Sequence, residues 1–323
     1  MQAGSNNNRR FVIALGGNAI LPVGKRGTFD EQVEITRETM DQVAQLAKDG
    51  HEVVMSHGNG PVVGNLVLRG DAGEQLHGIP AMPMFACGAD SQGGLGFLIQ
   101  NSLQNALKAV GIDQAVASVV TQVTVDPADP AFQNPTKPIG PFYDEAQAKI
   151  VAKENGWTVV EDSGRGWRRV VPSPKPIEVV EWPAIKALLD AGVLVVAVGG
   201  GGIPVVREAG DQLRGVDAVI DKDRASDLLG RLVEADCLMI VTQIDKVCVR
   251  FGQPDQEALD VLHASRAQEL LDSGEFPAGS MGPKIESALG FLAAGGREVI
   301  ITDPFNILAA VDGRAGTRIL PDA

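Results

Sequence analysis

The sequence predicts an α/β fold built on a mostly parallel sheet covered on both faces. Three observations predict it. Short apolar runs suited to buried strands recur at 11–15, 53–56, 193–198, 237–242 and 298–302. Stretches of helical period lie between them. Three of the runs end in glycine turns: Gly16-Gly17-Asn18, His57-Gly58-Asn59-Gly60 and Gly199-Gly200-Gly201-Gly202. Strand, glycine turn and helix in repetition is the rhythm of a parallel sheet. Backbone N–H groups at such turns can cup phosphate. Three of them in one chain suggest a site for a polyphosphate and a small second substrate.

Taken in order, the first helix opens at Thr28, whose spacing to Glu31 is that of a capping box. Val33, Met40, Val43, Ala44 and Ala47 share one face, and Gly50 is a natural stop. A strand at 53–55 follows, then a helix from about 90 to 109 ending at Gly111, then one strand over 116–125. From 126 to 176 the chain changes character, with eight of its 19 prolines. Helix interiors and central strands both exclude proline, so this stretch should stand outside the main sheet as a small protruding subdomain or lid. Inside it, 157–161 and 167–171 flank a glycine-containing turn and read as a β-hairpin. The main fold resumes near Ile177. Helices are expected at 182–191, 222–233, 264–272 and 283–294, with Pro283 suited to a first turn and Gly295 to an end. Residues 318–320 are expected as an edge strand.

The 323 residues carry 44% apolar side chains and a net charge of −13. That balance argues against nucleic acid or an anionic membrane as the main partner, since both need a positive surface. No run approaches the length of a membrane span, and no secretory signal region follows the N-terminal residues, where Asn6-Asn7-Asn8 reads as a frayed tail. Cys87, Cys237 and Cys248 are scattered, so neither a disulfide framework nor a metal motif is indicated. The cytoplasm is the expected location.

Gly199–Gly202 is not a dinucleotide fingerprint, because Pro204 stands where a third glycine is needed, and no P-loop occurs anywhere. His51, His77 and His263 show no ligand spacing, and His57 reads as a hydrogen-bonded structural imidazole. The lysines number only eleven. Lys222 stands between two aspartates at a helix start. Lys284 lies in the first turn of a helix, where the dipole disfavours a cation, so an anion is expected beside it. Lys137 sits on the proline-rich stretch and can serve as a lid cation. Three lysines with Mg²⁺ suit the charge stabilisation of a phosphoryl group in transfer, with Asp223 placed to organise them. Thr242 and Asp245, at the carboxyl end of a strand, are candidate contacts for adenine or ribose.

Together these segments resemble the carbamate kinases of the amino acid kinase family. The resemblance runs from Phe11 to about Leu320 on ALGGNA (14–19), SHGNGP (56–61), TQVTVDPADPAF (121–132), NPTKPIGPF (134–142), GRGWRRVVPSPKP (164–176), GGGGIPVV (199–206), AVIDKDRAS (218–226) and GSMGPKIE (279–286). Other branches of the family carry a lysine in the first strand where this chain has Ala14; in carbamate kinases that charge comes from the D-K-D helix start, here Lys222. The resemblance implies a three-layer αβα sandwich around a largely parallel eight-stranded sheet, with 126–176 protruding from it. It also implies an N-terminal acceptor-binding part, a nucleotide-binding part at about 215–323, and a homodimer. The implied reaction is reversible transfer of the ATP γ-phosphoryl group to carbamate, giving carbamoyl phosphate and ADP, often run toward ATP in arginine or purine-derivative breakdown. Gly16, Gly17, Asn18, Ser56, Gly58 and Asn59 would hold the acceptor and transferring phosphoryl. Lys137, Lys222, Lys284 and Asp223 would be catalytic. Gly200, Gly201, Thr242, Asp245, Met281 and Lys284 would line the nucleotide. Two alternatives are a kinase for another small carboxylate or phosphate, and a nucleotide-sensing protein without turnover.

Overall fold

The computed structural model describes residues 8–20, 27–162, 164, 166–277 and 280–322, apart from the Asn18 side chain. Asn6 and Asn7 of the expected tail, the hairpin-turn residues Ser163 and Arg165, and Gly279 of GSMGPKIE lie outside the described residues.

Buried strand β1 (Arg10–Leu15) is followed by α1 (Phe29–Lys48), which opens on the expected capping box. Glu31 N donates to Thr28 Oγ1 at 3.3 Å and Thr28 N to Glu31 Oε2 at 2.9 Å. Strand β2 (Glu52–His57) leads into α2 (Gly60–His77), for which the sequence pattern gives no signal. Glycines 60, 64, 70 and 73 interrupt its periodicity, and Val63 and Gly64 are its buried residues. Helix α3 (Met84–Ala109) starts a turn and a half before the expected position, directly after Pro83 in an extended conformation. The strand expected over 116–125 is two, β3 (Val116–Ser118) and β4 (Gln122–Val125), in different sheets. The chain bends between them because Gln92 captures the backbone of Thr121.

Next come β5 (Lys137–Tyr143), α4 (Glu145–Asn155), β6 (Val159–Glu161), β7 (Trp167–Val171) and β8 (Pro176–Val179). The expected hairpin is β6–β7, paired antiparallel with Glu161 opposite Trp167. Helix α4 is additional, and Asp144 caps it by accepting from Gln147 N at 2.8 Å. After α5 (Trp182–Asp190) and β9 (Leu194–Val196), the Gly199–Gly201 turn feeds β10 (Ile203–Arg207) and β11 (Leu213–Gly215). Helix α6 (Lys222–Leu232) and β12 (Cys237–Val241) follow, then the short pair β13 (Cys248–Val249) and β14 (Glu257–Ala258). The chain ends with β15 (Val261–His263), α7 (Ala264–Asp272), α8 (Gly282–Ala293), β16 (Glu298–Thr302), α9 (Ile307–Val311) and β17 (Thr317–Leu320).

The main sheet has eight strands in the order β15-β17-β16-β12-β1-β2-β9-β3, parallel except at β16–β17. Strand β17, expected at the edge, is covered by β15. Alternation along the strands divides the core into two layers. Val12, Val54, Leu238 and Ile240 pack with α5, α6, α7 and α8, through Leu189, Leu229, Leu270 and Phe291. Ile13, Met55, Met239 and Val241 pack with α1, α3 and α9, through Met40, Leu98, Ile99 and Ile307. Each such fully buried side chain contributes about 1.5–3 kcal/mol. The result is a three-layer αβα sandwich.

No described residue of 126–176 enters the eight-stranded sheet. Strands β5, β7 and β6 make a separate three-stranded sheet, and β11, β10, β4 and β8 a four-stranded one. The small sheet sits against α2 by backbone contact: a Cβ on Gly64 would lie 2.1 Å from Gly140 Cα.

Candidate active site

The glycine turns meet because parallel strands deliver them to one edge. Leu15 is in register with His57 and with Val241, so Gly16, Gly58 and Thr242 all leave the carboxyl end of the main sheet. Gly58 faces Gly17 and Lys222: a Cβ there would lie 3.4 Å from Gly17 N and 3.5 Å from Lys222 Cδ. The third turn packs on the second. At Gly200, where φ is +66°, a Cβ would lie 2.2 Å from Asn59 Nδ2, so both the backbone conformation and the space require glycine.

Helix α6 brings the charges in. Asp221 is its N-cap and accepts from Asp223 N at 2.9 Å and Arg224 N at 3.4 Å. Its second oxygen holds Lys137 Nζ at 2.6 Å, which ties the start of β5 to the start of α6. Lys222 turns back over the sheet, donating to the Ala14 carbonyl at 3.2 Å and pairing with Asp223. Asp223, 2% exposed, also holds Lys284 Nζ at 2.8 Å. One buried carboxylate thus carries two ammonium groups, and the anion expected beside Lys284 is Asp223. The two aspartates that flank Lys222 are expected both to hold its ammonium; in the structure Asp223 pairs with it and Asp221 pairs with Lys137.

The protonation states follow from these contacts. Burial pushes the Asp223 carboxyl upward, but Lys222 and Lys284 outweigh it and hold it well below the usual carboxylate range. Burial likewise opposes ionisation of Asp221, and Lys137 overcomes it. Lys284 is raised, because Asp223 outweighs its desolvation. Lys222 is lowered, by burial first and by Lys284 as a like charge. The two lysines share one carboxylate yet move oppositely; Lys222 is the more enclosed.

His57 is buried and 3.2 Å from the Gly58 carbonyl through Nδ1. Burial, with Lys222 nearby, lowers its pKa to about 4, so it is neutral at pH 7. Ser56, expected to touch the acceptor, is fully buried, and its Oγ lies 2.6 Å from Ser226 Oγ. Asn59 Nδ2 donates to Ser91 Oγ at 2.9 Å. The Asn18 side chain is outside the described residues; its backbone lies in the turn after β1. Gly16 and Gly17 stand at that turn, and Gly200 and Gly201 at the third.

Thr242 N donates to Thr302 O at 2.8 Å. Asp245 Oδ1 accepts from Thr302 Oγ1 at 3.3 Å and Gly316 N at 3.1 Å, so these two residues secure the junction with β16 and β17. Met281 precedes α8, one turn from Lys284, and is packed partly into the core. Sequence reasoning passed over Asp221 as the partner of Lys137, although its position before a helix marks a cap. It also gave no role to Thr121 and Ser226, which stand inside segments that carry the resemblance, or to Ser91 and Gln92, which have no local signature. Among the described residues, no three His, Cys, Asp or Glu side chains gather to hold a metal ion.

Comparison with known proteins identifies the family. The amino acid kinase family matches residues 9–303. The carbamate kinase of Pyrococcus horikoshii is 49% identical over 312 residues, covering 97% of this chain and 99% of that protein. That of Clostridium perfringens is 45% identical, covering 96% and 99%. The structure of carbamate kinase from Giardia lamblia bound to AMP-PNP superposes with a TM-score of 0.88 at 42% identity, covering 98% of this chain and all of that one. The chain belongs to the amino acid kinase family and, within it, groups with the carbamate kinases.

Proposed function

We propose that this protein transfers the γ-phosphoryl group of ATP reversibly to carbamate, giving carbamoyl phosphate and ADP. The observation that carries this is the Lys222–Asp223–Lys284 group beneath the first two glycine turns, with Lys137 held beside it by Asp221. The migrating PO₃ unit bears charge on its three equatorial oxygens, and fixed ammonium groups stabilise it without reorganising. Other branches of the family place a lysine at the position of Ala14; here the Lys222 ammonium stands on the Ala14 carbonyl at 3.2 Å. Asp223 keeps Lys222 and Lys284 from repelling one another before substrate arrives. When phosphate oxygens enter, they take over part of that task. Carbamate is already an oxygen nucleophile, so no general base is needed, in keeping with a buried, neutral His57.

Gly17 offers its backbone N–H to the acceptor side and Gly200 to the nucleotide phosphates; the N–H groups of Gly16, Gly58 and Gly201 are given to the carbonyls of Val241, Leu15 and Val198 at 2.8, 2.9 and 3.0 Å, so these three glycines serve by leaving room for the ligand. Mg²⁺ enters as part of the nucleotide substrate, where it supplies positive charge on the phosphates. The 126–176 stretch acts as a lid through Lys137, with acceptor binding in the N-terminal part and nucleotide binding at about 215–323. The protein works as a cytoplasmic homodimer; Phe97 and Val120, beside edge strand β3, are exposed in the single chain. No helix among the described residues is long and apolar enough to cross a membrane.

The test is coupled detection of ATP formed from ADP and carbamoyl phosphate. ADP binding without turnover, or turnover with acetylglutamate or UMP but not carbamate, defeats the proposal. Lys222→Ala should lower kcat by about a hundredfold or more, the scale of losing one stabiliser of developing charge; near-normal kcat would remove its assigned role.

A further inference from the structure

Two buried polar side chains outside the lysine group converge on the third glycine turn. Gln92, on α3, donates through Nε2 to the carbonyls of Thr121 and Gly199, both at 3.0 Å, and accepts from Thr121 N at 2.7 Å. Thr121 is fully buried. Its Oγ1 donates to the Val119 carbonyl at 2.7 Å and accepts from Val198 N at 3.1 Å. Val198, the residue before the turn, is buried and left-handed, with φ at 45° and ψ at 36°. For a β-branched residue that is a strained conformation, which persists only where the surroundings impose it. Such strain gathers at sites where geometry matters to function. Here the surroundings are the amide of Gln92 on one side of the turn and the hydroxyl of Thr121 on the other. The turn they fix lies against the second glycine turn: a Cβ on Gly199 would be 2.4 Å from His57 Nε2.

We propose that Gln92 and Thr121 are positioning residues: together they hold Val198 left-handed and so place the Gly199–Gly202 backbone for phosphoryl transfer. The assignment rests on the proposed function for the reaction it serves, but the clamp can be read without turnover. Removing the Thr121 hydroxyl leaves Val198 N without its acceptor and lets φ relax to negative values. The turn then tilts away from Asn59 and His57. Glycine at 198 adopts positive φ freely and should hold the turn without the clamp.

The experiment measures kcat for ATP formation, ADP affinity by calorimetry, and Tm. It compares the unmutated protein with Thr121→Val, Thr121→Ser, Gln92→Met, and Thr121→Val combined with Val198→Gly. A displacement of about 1 Å costs on the order of a hundredfold in rate, so Thr121→Val and Gln92→Met should lose about 30- to 100-fold in kcat. Thr121→Ser, which keeps the hydroxyl, should restore kcat to within about threefold, and Val198→Gly should regain about tenfold in the Thr121→Val background, on the same scale. The proposal is overturned if Thr121→Val keeps its kcat and ADP affinity, or if its loss is unrelieved by Val198→Gly and only Tm moves. Should Thr121→Val not fold, Gln92→Met with and without Val198→Gly makes the same comparison. If the unmutated protein makes no ATP, the proposed function fails, and the clamp is judged on ADP affinity: unchanged affinity in Thr121→Val and Gln92→Met overturns it.

Discussion

Replacing Asp223 by Asn keeps the shape of the side chain and removes the charge between two buried ammonium groups. At 2.8 Å from Lys284 Nζ, the gross attraction of one pair at an effective dielectric of 20 is about 6 kcal/mol. Desolvation offsets much of it, and taking one partner from a buried pair costs about 3–5 kcal/mol. With about 2.1 cal/mol/K per residue, the 323-residue chain unfolds with an entropy of about 0.7 kcal/mol/K, so Tm should fall by about 4–7 °C. The sign with pH follows from the depressed carboxyl. Its stabilisation is present above the unfolded value of 3.8 and is lost as pH falls through the lower folded value. Thermal melts at pH 7.5 therefore separate the variant from the parent, and the gap narrows progressively as pH falls below 3.8. Adding Lys284→Met to Asp223→Asn should recover part of the loss, because it removes one of two repelling cations. A coupling of at least about 1 kcal/mol is expected from the double-mutant cycle. An unchanged Tm in Asp223→Asn, or additive effects of the two substitutions, would refute the reasoning.

Gly64 and His57 give two further outcomes. Gly64→Ala should separate β5 from α2, since its Cβ would stand 2.1 Å from Gly140 Cα. Lys137, three residues from Gly140, moves with β5, so kcat should fall by about a hundredfold for a shift near 1 Å. Circular dichroism should show retained secondary structure; unchanged kcat would dissociate the small sheet from the reaction. His57 is native in its neutral form, with its pKa lowered from 6.5 to about 4. Stability should therefore decline as pH falls from 6.5 toward 4, by about 3 kcal/mol from this one group. Denaturant melts of His57→Gln should lack that part of the slope, and identical slopes in both proteins would contradict the assignment.

What the residues determine alone is what depends on backbone preference and periodicity. Apolar alternation in the strands, the Thr28–Glu31 cap, the glycine turns and the exclusion of proline from a central sheet are all local constraints. They yield the α/β class, the mostly parallel sheet and the exclusion of the described residues of 126–176 from it. Local reading failed where tertiary contacts override it. The four glycines of α2 look like loop until Gly64 is seen packed on Gly140 of a distant strand. The apolar run at 116–125 looks like one strand until Gln92, about thirty residues earlier, breaks it at Thr121. The charges divide in the same way. That Lys137, Lys222 and Lys284 are few and oddly placed is legible in the chain. Which carboxylate holds which lysine is not, because Lys137–Asp221 and Lys284–Asp223 join residues 84 and 61 positions apart. Ion pairing at those separations is decided by parallel strands delivering their carboxyl ends to a common edge, a property of the assembled sheet and of no single segment.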